Sequence, residues 1–175
     1  MWRRMADALP AIPMREEGRK RMLAPAEKYD ASRQNVETPE LYAVFPFRLY
    51  GVGLEGMEEA RAAYFARHDK MTHGWTQDGM FAALLGLTDE AKANILAKAG
   101  NSNPRHRFPA MWGPNFDWLP DQCHGANLML TLQTMLLQED ALGRHVLPCF
   151  PAEWGVRFRL IARDGVPVEG ERAAR

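Results

Sequence analysis

The chain has 175 residues, 46% of them hydrophobic and 25% charged, the size and composition of one ordinary globular domain, which excludes disorder for its bulk. Lysine plus arginine number 22 and aspartate plus glutamate also 22, so no net field gathers nucleic acid or an anionic membrane, and neither is expected as a partner. The two cysteines, Cys123 and Cys149, are too few for a disulfide framework and fit no zinc spacing; both read as free thiols, with no metal and no cofactor expected.

Residues 1–14 place Trp2, Arg3 and Arg4 ahead of a stretch broken by Pro10 and Pro13, without the continuous apolar run of an export leader. Residues 1–36 as a whole are basic and proline-punctuated and read as an extended lead-in segment. The body, residues 37–143, then alternates two kinds of predicted helix. Residues 40–50 are apolar nearly all round, with Pro46 as an internal breaker. Residues 54–67 are amphipathic: Leu54, Met57, Tyr64 and Phe65 form a stripe opposite a wet face of Glu55, Glu58, Glu59, Arg61 and Arg67. Residues 77–87 return to the apolar kind, and Thr88 caps a second amphipathic helix that ends at Gly100 and Asn101. In that helix Ala91, Ile95, Leu96 and Ala99 are expected inside, Lys92 and Lys98 in water.

Residues 125–138 are again almost wholly apolar, with Asn127, Thr131, Thr134 and Gln138 as a thin uncharged stripe. The longest uncharged stretch, 122–138, falls short of the roughly 20 apolar residues of a membrane span. This inner, outer, inner, outer, inner pattern predicts a mainly α protein, an α/α toroid or solenoid of which about two and a half hairpins are counted; an ordinary helical bundle fits the pattern equally well. Residues 144–175 change period. Val156, Phe158 and Leu160 alternate with polar positions before the turn at Asp164 and Gly165, predicting a C-terminal β hairpin.

Each apolar helix is preceded by a segment dense in acids, amides and aromatics: residues 34–40, residues 73–78, and a long loop closing with residues 112–124. In a toroid the starts of all inner helices open on one rim, so these segments should converge on one pocket. Indole faces beside carboxylates and amides suit a carbohydrate, and glycoside hydrolysis requires a pair of carboxyl groups. Glu37, Glu40, Asp78, Asp117 and Asp121 are the candidates. Asp78 and Asp121 read equally well as helix-start residues, Glu37 with Thr38 and Pro39 as a helix-entry device, and Trp75 and Trp112 as packing. The five histidines, His124 among them, show no metal spacing. Arg48, on an apolar stretch, requires a partner and is expected to find it among these acids.

The blocks Asn35-Val-Glu-Thr-Pro-Glu-Leu-Tyr-Ala-Val-Phe-Pro-Phe-Arg-Leu-Tyr-Gly51, Gly74-Trp-Thr-Gln-Asp78, Ala82-Ala-Leu-Leu-Gly-Leu87, Phe108-Pro-Ala-Met-Trp-Gly-Pro-Asn115 and Met135-Leu-Leu-Gln138 together resemble the C-terminal half of six-hairpin (α/α)6 glycosidases, the α-L-fucosidase family with that barrel in particular. The resemblance implies a glycoside hydrolase acting on terminal sugars, with an oligosaccharide or glycoside as partner. It also implies that the general-acid glutamate and the other half of the barrel lie upstream of these residues, so that this portion is inactive alone. Sugar contacts are then expected at Glu37, Trp75, Gln77, Asp78, Trp112, Asn115, Asp117 and His124. Asp121 would stand near the reacting centre, and the family's aspartate position falls on Cys123, which is not an acid. A non-catalytic carbohydrate-binding relic and a helical protein-interaction module are the alternatives.

Overall fold

The computed structural model describes residues 2–32, 36–72, 74–100 and 122–175. The elements run α1 (Trp2–Asp7), β1 (Met14–Glu17), β2 (Lys20–Leu23), a 3-10 turn at Pro39–Leu41, α2 (Met57–Ala66), α3 (Asp78–Leu84), α4 (Thr88–Gly100), α5 (Gln122–Leu136), β3 (Leu137–Asp140), β4 (Gly143–Val146), β5 (Val156–Ile161) and β6 (Pro167–Arg172). The mainly α toroid is corrected. Among the described residues helix accounts for 36% and strand for 19%, the strands forming three separate two-stranded sheets.

The correction has local causes. The stretch 40–50 makes no regular helix. After the 3-10 turn its amides reach back by varying spans, Val44 to the Leu41 carbonyl, Phe47 to Tyr42 and Leu49 to Ala43, because Pro46 has no N–H to continue a ladder. The Phe45–Pro46 bond is cis, and Arg48 has a positive φ of 51°. At the N-terminal end, the segment expected to be an extended lead-in instead folds α1 and an antiparallel hairpin in which Arg15 faces Met22 and Met14 faces Leu23. Met22 and Leu23 belong to the core. At the far end of the chain, the residues after α5 turn directly into the unforeseen β3–β4 hairpin, with Leu137 opposite Val146.

The predicted C-terminal hairpin is present: Val156 pairs with Arg172 through to Ile161 with Pro167, and Gly165 turns at φ 82°. Phe158 is buried against the core, with Val156, Leu160 and Val168 packed beside it. The two hairpins are clipped together where Arg144 meets both Glu139 and Asp164, and the Glu139 carboxylate also accepts the Arg163 amide at 2.8 Å.

The core collects around α3, every residue of which is buried. Leu41, Val44, Ala60, Ala63, Tyr64, Ile95, Met135, Cys149 and Phe150 cover it from the surrounding elements. The α3 end is held by groups from elsewhere: the Arg61 side chain donates to the Leu85 carbonyl at 3.0 Å, and the Val52 backbone amide to the Leu84 carbonyl at 2.9 Å. Gly79 is where three helices come closest. A Cβ there would stand 2.6 Å from Asn94 Oδ1 of α4 and 2.9 Å from Thr131 of α5.

Two amphipathic faces are rotated from expectation. In α2 the buried residues are Ala60, Ala63 and Tyr64, Phe65 is exposed, and Arg67 just beyond the helix is buried rather than wet. In α4 the inner face is Ala91, Asn94, Ile95 and Lys98, while Leu96 is exposed. Positions 91, 94, 95 and 98 are the true i, i+3, i+4, i+7 stripe. Among the described residues no helix is long and apolar enough to cross a membrane.

Candidate functional site

The segment before α3 is gripped from two sides. Its backbone carbonyls require donors, since residues 74–76 lie outside any helix or strand ladder. Lys98 of α4, 1% exposed, donates its ammonium to the Gly74 carbonyl at 3.1 Å, and Asn127 of α5 donates its amide to the Trp75 carbonyl at 2.7 Å. A buried lysine is tolerated because a charge removed from water needs such acceptors. His124, one turn before Asn127, bonds the Lys98 carbonyl at 2.9 Å. The start of α5, the end of α4 and the loop bearing Trp75 are thereby tied into one unit.

Trp75 and Gln77 from this loop line a cavity of about 480 Å³ whose other wall is Glu37, Tyr42, Phe45, Pro46 and Phe47. Its size is that of a small-molecule site. The Tyr42 hydroxyl donates to Glu37 Oε2 at 2.8 Å, and that bond, then burial, raises the Tyr42 pKa above its ordinary value. The phenol thus stays a neutral donor and fixes the direction of the carboxylate. Thr38, the residue directly after Glu37 at the edge of the wall, has φ 50° and ψ 59°. A β-branched residue in the left-handed region is a true outlier, and such outliers gather at functional sites. The arrangement sets an anionic acceptor, an amide and an indole around a space walled by aromatic and apolar carbons.

Of the residues singled out from sequence, the fold therefore brings Glu37, Trp75 and Gln77 to one cavity and His124 to the unit behind it. Cys123 is exposed at the first turn of α5. Trp112, Asn115, Asp117 and Asp121 lie outside the described residues. Asp78 is near in sequence but committed elsewhere. Its Oδ1 receives Arg67 through Nη2 at 2.6 Å and Nε at 3.0 Å, with both residues almost fully buried. Arg67 also lies 3.7 Å over the Tyr64 ring and donates to the Tyr64 carbonyl. Asp78 is thus the anchor between α2 and α3 and not a free sugar ligand.

Among the described residues Arg48 makes no ion pair with Glu37, Glu40 or Asp78, and the charges that face it are Arg163, Asp140 and Glu139; Asp117 and Asp121 lie outside the described residues. Sequence reasoning passed over Lys98 by placing it in water, and read Asn127 only as part of a thin polar stripe. The signal for both was a polar residue at an inward helical position. Among the described residues no group of three or more His, Cys, Asp or Glu is placed to hold a metal ion. Compared with known proteins, the chain matches no family model and no curated protein sequence.

Proposed function

We propose that this is a carbohydrate-active protein that takes a terminal sugar of a glycoside in the cavity between residues 37–47 and 75–77. The observation that carries the reading is the meeting, in one cavity, of two stretches far apart in sequence with the chemistry a sugar requires. The Trp75 indole offers an apolar face to the C–H side of a pyranose ring, and Glu37 and Gln77 offer an acceptor and an amide to its hydroxyls. The likeness of the surrounding sequence blocks to (α/α)6 glycosidases supports the same reading, and names glycoside hydrolysis as the activity of the protein to which these residues belong.

Hydrolysis asks for a second carboxyl group opposite the first. Among the cavity residues Glu37 is the acid, and Asp78 is held by Arg67; Asp121 is the remaining candidate of the sequence. The ion-paired state of Asp78 favours a non-catalytic sugar-binding role for the chain alone.

Calorimetric titration with methyl α-L-fucoside and other methyl glycosides tests the binding reading. Binding is expected for at least one sugar, weakened about tenfold by Trp75→Ala, the loss expected for one stacking contact. No binding of any sugar, or binding indifferent to Trp75, would refute it. An assay with aryl glycosides separates the two roles: turnover abolished by Glu37→Gln means catalysis, and binding without turnover means capture.

A further inference from the structure

A second cavity, of about 520 Å³, shares no lining residue with the first and lies between the outer side of α5 and β5. Its polar lining is dominated by three guanidiniums, Arg48, Arg159 and Arg163, against one carboxylate, Glu139. That carboxylate is already engaged by Arg144 and by the Arg163 amide, which hold it below the usual carboxylate range. Arg159 is partly satisfied by Glu169 at 3.2 Å. Arg48 and Arg163 have no ion pair among the described residues, although Arg48 is half-buried and within the field of Arg163. Burial first, and the Arg163 charge second, pull the Arg48 guanidinium below its ordinary value. Asp140 and Glu139 are the carboxylates that face Arg48, but the groove itself sets three guanidiniums against Glu139 alone, and a bound anion would add the missing counter-charge. Arg48 is moreover held at φ 51°, a backbone conformation that costs energy in any residue but glycine. Beside the guanidiniums, Leu130 and Ile161 present exposed apolar surface on opposite walls of the same groove.

We infer that this groove is a binding site for a small amphipathic organic anion, a carboxylate or phosphate head group held by Arg48 and Arg163 with a short apolar body against Leu130 and Ile161. Paired guanidiniums suit either head group, because each offers a planar fork of donors to two oxygens. The site is separate from the sugar cavity and stands or falls independently of it.

Calorimetric titration of the full chain with hexyl phosphate and with hexanoate tests it, with inorganic phosphate and hexanol as probes lacking the chain or the charge. One or both amphipathic anions should bind at least about tenfold more tightly than either control, and Arg48→Gly and Arg163→Gln should each weaken that binding by about tenfold. The better of the two anions identifies the head group. Glycine relieves the strained backbone at position 48, so that variant should melt no lower than the parent chain; Arg163 is exposed, and its variant carries the test if the first misfolds. Failure of both anions to bind, inorganic phosphate or hexanol binding as tightly as they do, or undiminished binding by the Arg163→Gln protein would overturn the assignment.

Discussion

Helices α3 and α5 begin from the same kind of sequence, a mostly apolar run behind a segment of aromatics and amides, and end in opposite situations. Every residue of α3 is buried. In α5 the buried side is largely a polar stripe, His124, Asn127, Thr131 and Thr134, joined at the end by Met135 and Leu136 and continued by Gln138, while Met129, Leu130 and Leu132 are exposed. The difference follows from what each helix leaves unsatisfied. The α3 end and the loop before it carry carbonyls inside the core, and α5 with the strand that continues it supplies donors to them: Asn127 of α5 to Trp75 at 2.7 Å and Gln138 of β3 to Ala83 at 2.7 Å. An uncharged amide can be buried at modest cost once it is hydrogen-bonded, whereas the carbonyls it serves would be costly if left alone. Apolar composition says that a helix has apolar surface; it does not say which side is covered.

The comparison breaks most visibly at the anchor of α3. Asp78→Asn should leave Arg67 as a buried cation without its counter-charge, at a loss of about 3–5 kcal/mol in urea unfolding; a loss under about 1 kcal/mol would remove Asp78 as the anchor. Beneath that pair, Tyr64 is almost fully buried, and burial is the main reason its pKa is pushed up to about 12. The unfolded phenol ionises near its ordinary value of about 10 and the folded one only near 12, so Tyr64 contributes stability that is present below pH 10 and lost as pH rises from 10 to 12. The loss is about 2–3 kcal/mol. Tyr64→Phe should flatten that alkaline decline relative to the parent chain, and parallel pH curves would contradict it.

A smaller effect is expected on the α5 side of the contact. Gln138→Ala removes the donor to the Ala83 carbonyl and should cost about 1–3 kcal/mol, against nearly nothing if water replaces the amide. Smallest of all, Met129→Gln and Leu132→Gln on the outer side should each change stability by no more than about 0.5 kcal/mol in the isolated chain. A larger destabilisation would mean that the outer face is covered in solution.

The parts legible in sequence were those whose signals are local. The β5–β6 hairpin follows from the alternation around Phe158 and the Asp164–Gly165 turn, and α4 is a helix over Thr88–Gly100 where its apolar spacing predicts one. The toroid pattern is not realised because Pro46 breaks the ladder of residues 40–50 despite their all-round apolarity, and because the β3–β4 hairpin begins where helical spacing still fits. Arg67 and Lys98 were placed in water because their partners, Asp78 and the Gly74 carbonyl, lie 11 and 24 residues away. At the site, Glu37, Trp75 and Gln77 could be picked out by residue type, whereas the wall from Tyr42 to Phe47 depends on a chain path that no periodicity encodes.

The most direct test follows the indole N–H resonance of Trp75, assigned by its disappearance in Trp75→Phe, while a methyl glycoside is added. The account predicts that this resonance shifts saturably while those of Trp2 and Trp154 stay in place. An unmoved Trp75 resonance under conditions where the sugar binds would locate the sugar elsewhere and contradict the assignment of the cavity.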